Sequence, residues 1–152
     1  MSNEYMAEKK IDVLNKRKLL VYESDIDHNY KLKKMKILVV DDTKDIRDVM
    51  SQVITSEGHE AVMALNGRDG LEMIENNKFD VVLLDLLMPE FSGLDVIDSL
   101  EKTGMIKLNK IVVMTGLSIS SESLTKLKNK GVYMWMRKPI KLNEFLSLLR
   151  NI

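Results

Sequence analysis

Short runs of β-branched and aliphatic residues recur from Lys36 onward, and each is followed by a stretch in which apolar residues return every three or four positions. This alternation is typical of strand–helix units that build a parallel sheet. Several runs are apolar without interruption, as expected for strands covered by helices on both faces. Five strands are predicted: Ile37–Val40, Glu60–Ala64, Val81–Leu84, Ile111–Met114 and Val132–Met136.

Five amphipathic helices are predicted between and after these strands. The first spans residues 44–57 and ends at Gly58, and its apolar face holds Ile46, Val49, Met50, Val53 and Ile54. The apolar anchors of the other four are Leu71 and Ile74, then Leu94, Ile97 and Leu100, then Leu124 and Leu127, and finally Leu142, Phe145, Leu146 and Leu149. The fourth helix, over residues 121–130, has only two apolar anchors, and we expect it to be the least firmly held.

Residues 1–35 differ in kind from the predicted domain over residues 36–152. They include eight basic and six acidic residues, no glycine and no proline. Ile11, Leu14 and Val21 could share one helical face, but Lys18 interrupts that stripe. We expect an N-terminal tail or an added helix, and three forms stay open: a frayed tail, a helix for dimerisation or partner contact, and an extra strand.

The composition excludes several classes of protein. The 152 residues include 23 basic and 23 acidic residues and no cysteine, which rules out disulfides, thiolate metal sites and a thiol nucleophile. Balanced charge provides no basic surface, so we expect no direct nucleic-acid binding. Because no apolar run exceeds five residues, we expect no membrane span, no signal peptide and a cytoplasmic location.

Polar side chains follow four of the predicted strands, directly in three cases and after Arg137 in the case of the fifth strand. Asp41 and Asp42 follow the first strand, Asp85 the third, Thr115 the fourth and Lys138 the fifth. In an open α/β sheet, ligands bind outside the carboxyl ends of the strands, so these side chains are expected to converge.

Three carboxylates in one cleft repel one another unless a cation neutralises them. Mg²⁺ suits such a site, because it prefers oxygen ligands and usually takes one or two carboxylates together with phosphate oxygens. Lys138 would add a positive charge for a phosphate, and Thr115 a hydroxyl donor. The sequence therefore predicts a site that handles phosphoryl groups with Mg²⁺.

Other chemistries lack the residues that they require. Neither a G-x-x-x-x-G-K-[ST] loop nor a G-x-G-x-x-G loop is present, which excludes nucleotide binding by those routes. His28 and His59 lie away from the strand ends, and we expect both at the surface. No histidine is placed beside Ser92, so a Ser–His–Asp hydrolase is disfavoured.

Five segments in order resemble the receiver domain of two-component response regulators: Lys36–Asp42, Val81–Pro89, Phe91–Gly93, Met114–Gly116 and Lys138-Pro139. The resemblance covers residues 36–152 and implies a flavodoxin-like, doubly wound parallel sheet with strand order 2-1-3-4-5. Two helices would cover one face and three the other. The chain stops just after the fifth predicted helix, so we expect a stand-alone receiver, similar to chemotaxis receivers, with an N-terminal extension.

The resemblance also implies a role for each carboxylate. Asp85 corresponds to the phosphoacceptor, whose carboxylate attacks the phosphorus of a phosphohistidine or a small phosphodonor. Asp42 corresponds to a direct Mg²⁺ ligand and Asp41 to its outer-shell partner. The third protein ligand in this family is a backbone carbonyl, which here belongs to Leu87.

Thr115 and Lys138 match the family's residues that bind the phosphoryl oxygens, and the Lys138-Pro139 peptide is expected to be cis. The family's switch couples the threonine to an aromatic residue at the position of Trp135. The large indole either follows Thr115 inward or stays on the surface as an anchor for a partner. Leu87 and Leu117 flank the expected path of water, so we expect slow autodephosphorylation.

The implied function is a phosphorylation switch and not an enzyme. A histidine kinase or phosphotransfer protein would donate the phosphoryl group, and a downstream target protein or a second copy of the chain would read it. Two alternatives stay open. One is a receiver-like interaction module that works without phosphorylation. The other is an aspartyl-nucleophile phosphatase, which would want a second carboxylate where Leu87 stands.

Overall fold

A computed structural model describes residues 33–152. Nearly all of the predicted N-terminal tail or helix, together with His28, lies outside the described residues. The strands are β1 (Lys36–Val40), β2 (Glu60–Ala64), β3 (Val81–Asp85), β4 (Ile111–Thr115) and β5 (Met134–Arg137). The helices are α1 (Lys44–Ser56), α2 (Gly67–Asn76), α3 (Gly93–Thr103), α4 (Ser121–Lys130) and α5 (Leu142–Asn151), with a 3₁₀ turn at Met105–Leu108.

The five strands form one parallel sheet in the order β2-β1-β3-β4-β5, which confirms the expected flavodoxin-like topology. β3 and β4 are buried along their whole length, and β1 is buried from Ile37 onward. Such strands need apolar side chains on both faces, which explains their continuous apolar sequences.

Helices pack on both faces of the sheet. α2, α3 and α4 cover one face, where the buried helix side chains are Ile74, Val96, Ile97, Leu100 and Leu127. α1 and α5 cover the other face, with Met50, Ile54, Phe145, Leu148 and Leu149. Because all five strands run parallel, their carboxyl ends meet at one edge of the sheet. The helices on both faces make that sheet closely packed.

Side-chain caps fix the beginnings of three helices. The side chain of Asn66 accepts the N–H of Asp69 at the start of α2, and Ser120 does the same for Ser123 at the start of α4. α3 begins with a capping box, in which Ser92 and Asp95 each accept the other's backbone N–H. These caps determine where each loop from the sheet edge ends.

The fifth strand begins two residues later than predicted and ends one residue later. Gly131 terminates α4 with a φ of 116°, and the N–H of Val132 donates to the carbonyl of Leu127. Val132 is therefore part of the helix termination, and β5 begins only at Met134.

Three predicted anchors and one histidine also differ from expectation. Val49, Leu94 and Leu142 are exposed. Leu94 and Leu142 lie in the first turns of their helices, and Val49 lies roughly 100° around α1 from Met50. His59 is buried and not at the surface, because its Nδ1 accepts the backbone N–H of Met35 at 3.3 Å where the chain enters β1.

Candidate functional site

Three carboxylates meet where β1 and β3 end. Val40 lies opposite Leu84 in the parallel register, so the residues that follow these positions leave the sheet side by side. One oxygen from each of Asp41, Asp42 and Asp85 lies within 4.8 Å of the others. Asp41 and Asp85 are buried, whereas Asp42 is exposed. The structure thus brings together the three acidic residues that the sequence predicted.

Lys138 enters this acidic cluster from the segment after β5. Its Nζ lies 2.7 Å from Oδ2 of Asp41 and 3.2 Å from Oδ2 of Asp85. Its N–H donates to the carbonyl of Thr115 at 2.8 Å, and its peptide bond to Pro139 is cis, as expected. The ammonium group therefore links the two buried carboxylates.

Burial and charge shift two pKa values in the cluster. Burial raises the pKa of Asp85, although the Leu87 N–H and the charge of Lys138 favour its ionised form. Burial also opposes the charge on Lys138, but its hydrogen bond to Asp41 and the charges of Asp85 and Asp41 outweigh that effect. The pKa of Lys138 is therefore raised.

The donor set fits a hard divalent cation. Three carboxylates against one ammonium group leave two negative charges when all four groups are ionised. All three carboxylates supply oxygen ligands, and one of them is open to solvent, where a hydrated ion can enter. Mg²⁺ prefers this combination of few carboxylates and retained water.

The same local turn holds the side chain at three strand ends. Oδ1 of Asp41 accepts the N–H of Thr43 at 2.9 Å, and Oδ1 of Asp85 accepts the N–H of Leu87 at 3.2 Å. Oγ1 of the buried Thr115 accepts the N–H of Leu117 at 3.1 Å. Each side chain accepts from the residue two positions later, which fixes the orientation of that side chain.

The loop between β3 and α3 is tightly built. A Cβ atom on Gly93 would lie 2.2 Å from the carbonyl oxygen of Asp85, so only glycine fits there. Glu90 has a φ of 65°, and the Phe91 N–H donates to the carbonyl of Pro89 at 2.7 Å across it. A non-glycine residue in this conformation stores strain. The loop that carries the predicted Leu87 carbonyl is therefore closely constrained.

Three large apolar side chains that the sequence analysis assigned to the site are half-exposed. Leu87 is 54% exposed and Leu117 is 52% exposed. Trp135 is 46% exposed and lies opposite Val113, two residues before the partner of Thr115 in the β4–β5 register. The indole is half-exposed in this structure, and whether it moves inward or stays at the surface in a switch stays a prediction.

Arg47 belongs to the surroundings of the site, although the sequence analysis did not single it out. Its Nη1 donates to the carbonyl oxygen of Asp41 at 2.8 Å. The available clue is its place in the first turns of α1, where the helix dipole favours acidic and not basic residues.

The comparisons agree with this geometry. Residues 37–150 match the family model of the response regulator receiver domain. The transcriptional regulatory protein DltR of Streptococcus agalactiae is 31% identical over 116 residues, which are 76% of this chain and 50% of DltR. The chain thus spans about half the length of the curated relatives that it matches.

Two solved structures of related proteins are also similar to this chain. Chemotaxis protein CheY4 of Vibrio cholerae matches with a TM-score of 0.70 and 28% identity, over 78% of this chain and 98% of CheY4. Response regulator TrrA of Thermotoga maritima, in complex with Mg²⁺ and BeF, matches with a TM-score of 0.64 and 28% identity, over 76% and 96%. None of the helices within residues 33–152 has the length and hydropathy of a membrane-spanning segment.

Proposed function

The chain belongs to the response regulator receiver domain family, and from that premise we propose that Asp85 accepts a phosphoryl group in a Mg²⁺-dependent reaction. Receiver domains are phosphoacceptor switches of two-component systems, and they bind Mg²⁺ at an acidic pocket. The observation that carries the proposal is the cluster itself, in which Asp85 lies beside Asp41, Asp42 and Lys138.

In the proposed reaction, a carboxylate oxygen of Asp85 forms a bond to phosphorus. The P–N bond of a phosphohistidine breaks at the same time, and the imidazole leaves. Asp42, Asp85 and the carbonyl of Leu87 would hold Mg²⁺, with Asp41 as an outer partner. The ion would neutralise the charge on the phosphoryl oxygens.

Lys138 keeps its proton through this reaction, because its pKa is raised by its contacts with Asp41 and Asp85. Its ammonium group can therefore move from the Asp85 carboxylate to a phosphoryl oxygen without a proton transfer. The hydroxyl of Thr115 now accepts the N–H of Leu117, and its own proton is the donor for a second phosphoryl oxygen.

We further propose that this change is read through Trp135. If Thr115 turns toward the phosphoryl group, the space beside β4 and β5 changes, and the indole either moves or presents a different surface. A histidine kinase or phosphotransfer protein would be the donor, and a downstream target protein would bind the altered face. Homodimer formation and function without an attached output domain stay predictions.

The experiment that tests the proposal is intact mass spectrometry after incubation with a small phosphodonor and Mg²⁺. We expect the mass of one phosphoryl group to appear on the wild type, and to be lost in Asp85→Asn and on chelation of Mg²⁺. Asp45→Asn is the matched control, because this exposed carboxylate in the first turn of α1 lies outside the acidic cluster. An adduct that persists in Asp85→Asn would contradict the proposal, and so would Mg²⁺ binding without an adduct.

A further inference from the structure

We infer that Arg47 is a positioning residue for the metal-binding carboxylates, and that it acts through the main-chain carbonyl of Asp41. The inference rests on the proposed Mg²⁺-dependent function. It concerns a side chain that donates to a main-chain carbonyl and so holds the backbone from which two of the three carboxylates project.

Every polar group of Asp41 is held by a different part of the fold. Its N–H donates to the carbonyl of Ala64 at 3.3 Å, and its carboxylate accepts from Thr43 at 2.9 Å and from Lys138 at 2.7 Å. The remaining group, its carbonyl oxygen, accepts from Arg47 at 2.8 Å. Asp41 is fully buried, so losing this bond would leave a buried acceptor without that donor.

The Asp41 carbonyl also determines the direction of Asp42. A peptide group is planar, so the carbonyl of Asp41 and the N–Cα bond of Asp42 move as one unit. This peptide follows the last residue of β1, beyond the strand pairing that fixes the preceding carbonyls. By holding the oxygen, Arg47 fixes the plane that connects the buried carboxylate to the exposed one.

The charge of Arg47 cannot explain its presence here. A guanidinium group close to the acidic cluster repels a cation, so its charge alone weakens Mg²⁺ binding. Positioning has the opposite effect, because carboxylates that are already arranged bind the ion without reorganisation. The two effects therefore predict opposite changes in Mg²⁺ affinity when Arg47 is replaced: removal of its charge alone would tighten binding, and loss of its positioning contact would weaken binding.

The test is calorimetric titration of Mg²⁺ into the full chain and its variants. We expect Arg47→Met to weaken Mg²⁺ binding by about tenfold or more, which is typical when a supporting partner of a metal ligand is lost. Lys44→Met is the matched control. Lys44 is an exposed cation on the same helix that pairs with Asp48, so its loss should leave the affinity unchanged or slightly tighter. Arg47→Lys keeps the charge and a donor, and should restore part of the affinity.

A second readout needs no metal. Amide hydrogen exchange at Asp42 and Thr43 should accelerate in Arg47→Met and stay unchanged in Lys44→Met. If Arg47→Met does not fold, Arg47→Gln replaces it, since its shorter neutral side chain also removes the bond. Affinity equal to or tighter than wild type in the folded variant, with unchanged exchange, would overturn the inference. Failure of the wild type to bind Mg²⁺ would instead overturn the proposed function.

Discussion

At the scale of single residues, the site is arranged by backbone N–H groups before any ligand arrives. Asp41, Asp85 and Thr115 each accept the N–H of the residue two positions later. Lys138 then joins two of these side chains at 2.7 and 3.2 Å. Groups held in this way need little rearrangement when charge develops on a phosphoryl group, which is the main electrostatic requirement of phosphoryl transfer.

The side chain of Leu87 should control the lifetime of the acyl phosphate. It is exposed beside Asp85 and cannot orient a hydrolytic water molecule, so we expect the wild-type adduct to last well beyond seconds. Leu87→Asn supplies an amide at this position and should accelerate hydrolysis by about tenfold or more. The measurement is loss of the phosphoryl mass after the donor is removed.

Leu108→Asn is the control for that experiment, because Leu108 is 78% exposed in the 3₁₀ turn after α3. This variant should keep the wild-type lifetime. A wild-type adduct that decays within seconds, or equal rates for Leu87→Asn and the wild type, would show that Leu87 does not limit hydrolysis.

Gly93 should not tolerate a side chain. A Cβ atom there would lie 2.2 Å from the Asp85 carbonyl oxygen and 2.8 Å from Cα of Leu86, both of which are backbone atoms that move only with the loop. We expect Gly93→Ala to lower the free energy of unfolding by about 2 kcal/mol, as overpacking typically does. Urea denaturation measures this change.

Gly116→Ala serves as the comparison, since its Cβ would meet only the Lys138 Cβ, at 4.0 Å. It should unfold at nearly the same urea concentration as the wild type. Equal stability of the two alanine variants would mean that the β3–α3 loop adapts more readily than its close contacts indicate.

At the scale of elements, α4 is held mainly at its C-terminal end. It buries only Leu127, and Lys130 at its last residue pairs with Asp98 at 2.5 Å and Glu101 at 2.9 Å on α3. Gly131 then packs against Ile106. The N-terminal half of α4, which follows the Thr115 loop, lacks a buried anchor, in agreement with the expectation that this helix is the least firmly held.

Leu127→Ala should therefore destabilise the packing of α4 more than the packing of any other described helix. Deletion of a buried leucine side chain costs about 3 kcal/mol where the surroundings cannot close around it. We expect hydrogen exchange followed by mass spectrometry to show a large loss of protection in peptides from α4 and a smaller loss in α2. Leu124→Ala, at a half-buried position on the same helix, should have a weaker effect. Equal loss of protection in both variants would show that Leu127 is not the main contact that holds α4.

Element bounds followed from the sequence where local and tertiary preferences agreed. β2 and α4 begin and end as predicted, because short apolar or helical runs there are bounded by Gly58, Gly131 and polar caps. β5 was misplaced, since the apolar Val132 and Tyr133 continue the pattern of the strand while Val132 completes the termination of α4. A pattern of apolar residues does not show whether a backbone N–H donates within the preceding helix or within the following strand.

At the scale of the whole molecule, the position of the site followed from topology. A parallel sheet brings the residues after each strand to one edge, so Asp41, Asp85 and Lys138 could be grouped before any contact was known. The contact of Arg47 with a carbonyl and the burial of His59 could not, because they depend on how helices rotate and pack. The sequence and the topology predict the backbone positions from which the side chains of the site project. The contacts that those side chains make depend on tertiary packing.

Global stability should depend on the ionisation of Asp85. Burial raises its pKa, so the folded protein holds this proton more tightly than the unfolded chain does. The stability that the protonated form contributes is complete below the ordinary value of 3.8 and is lost as the pH rises through the raised pKa. Asp85→Asn cannot ionise, so in chelator it should be more stable than the wild type at neutral pH.

Urea unfolding midpoints between mildly acidic and neutral pH test this dependence. The difference in stability in favour of Asp85→Asn should grow as the pH rises. Mg²⁺ should reduce this difference, because it binds to the folded wild type and stabilises it. Asp45→Asn removes an equal charge from the exposed first turn of α1 and should show no such gain. A constant difference at every pH would mean that Asp85 ionises equally well in the folded and unfolded chains.

The most direct test of the central claim is to locate the acyl phosphate among the three neighbouring carboxylates. The full chain would be treated with a small phosphodonor and Mg²⁺, reduced with borohydride to convert the acyl phosphate to an alcohol, and sequenced by tandem mass spectrometry. The account predicts the reduced residue at position 85 alone, because it assigns Asp41 and Asp42 to the metal ion and the nucleophile to Asp85, which lies between that ion's ligands and Lys138. Reduction at Asp41 or Asp42 would contradict it, and so would an unmodified Asp85 in a chain that binds Mg²⁺.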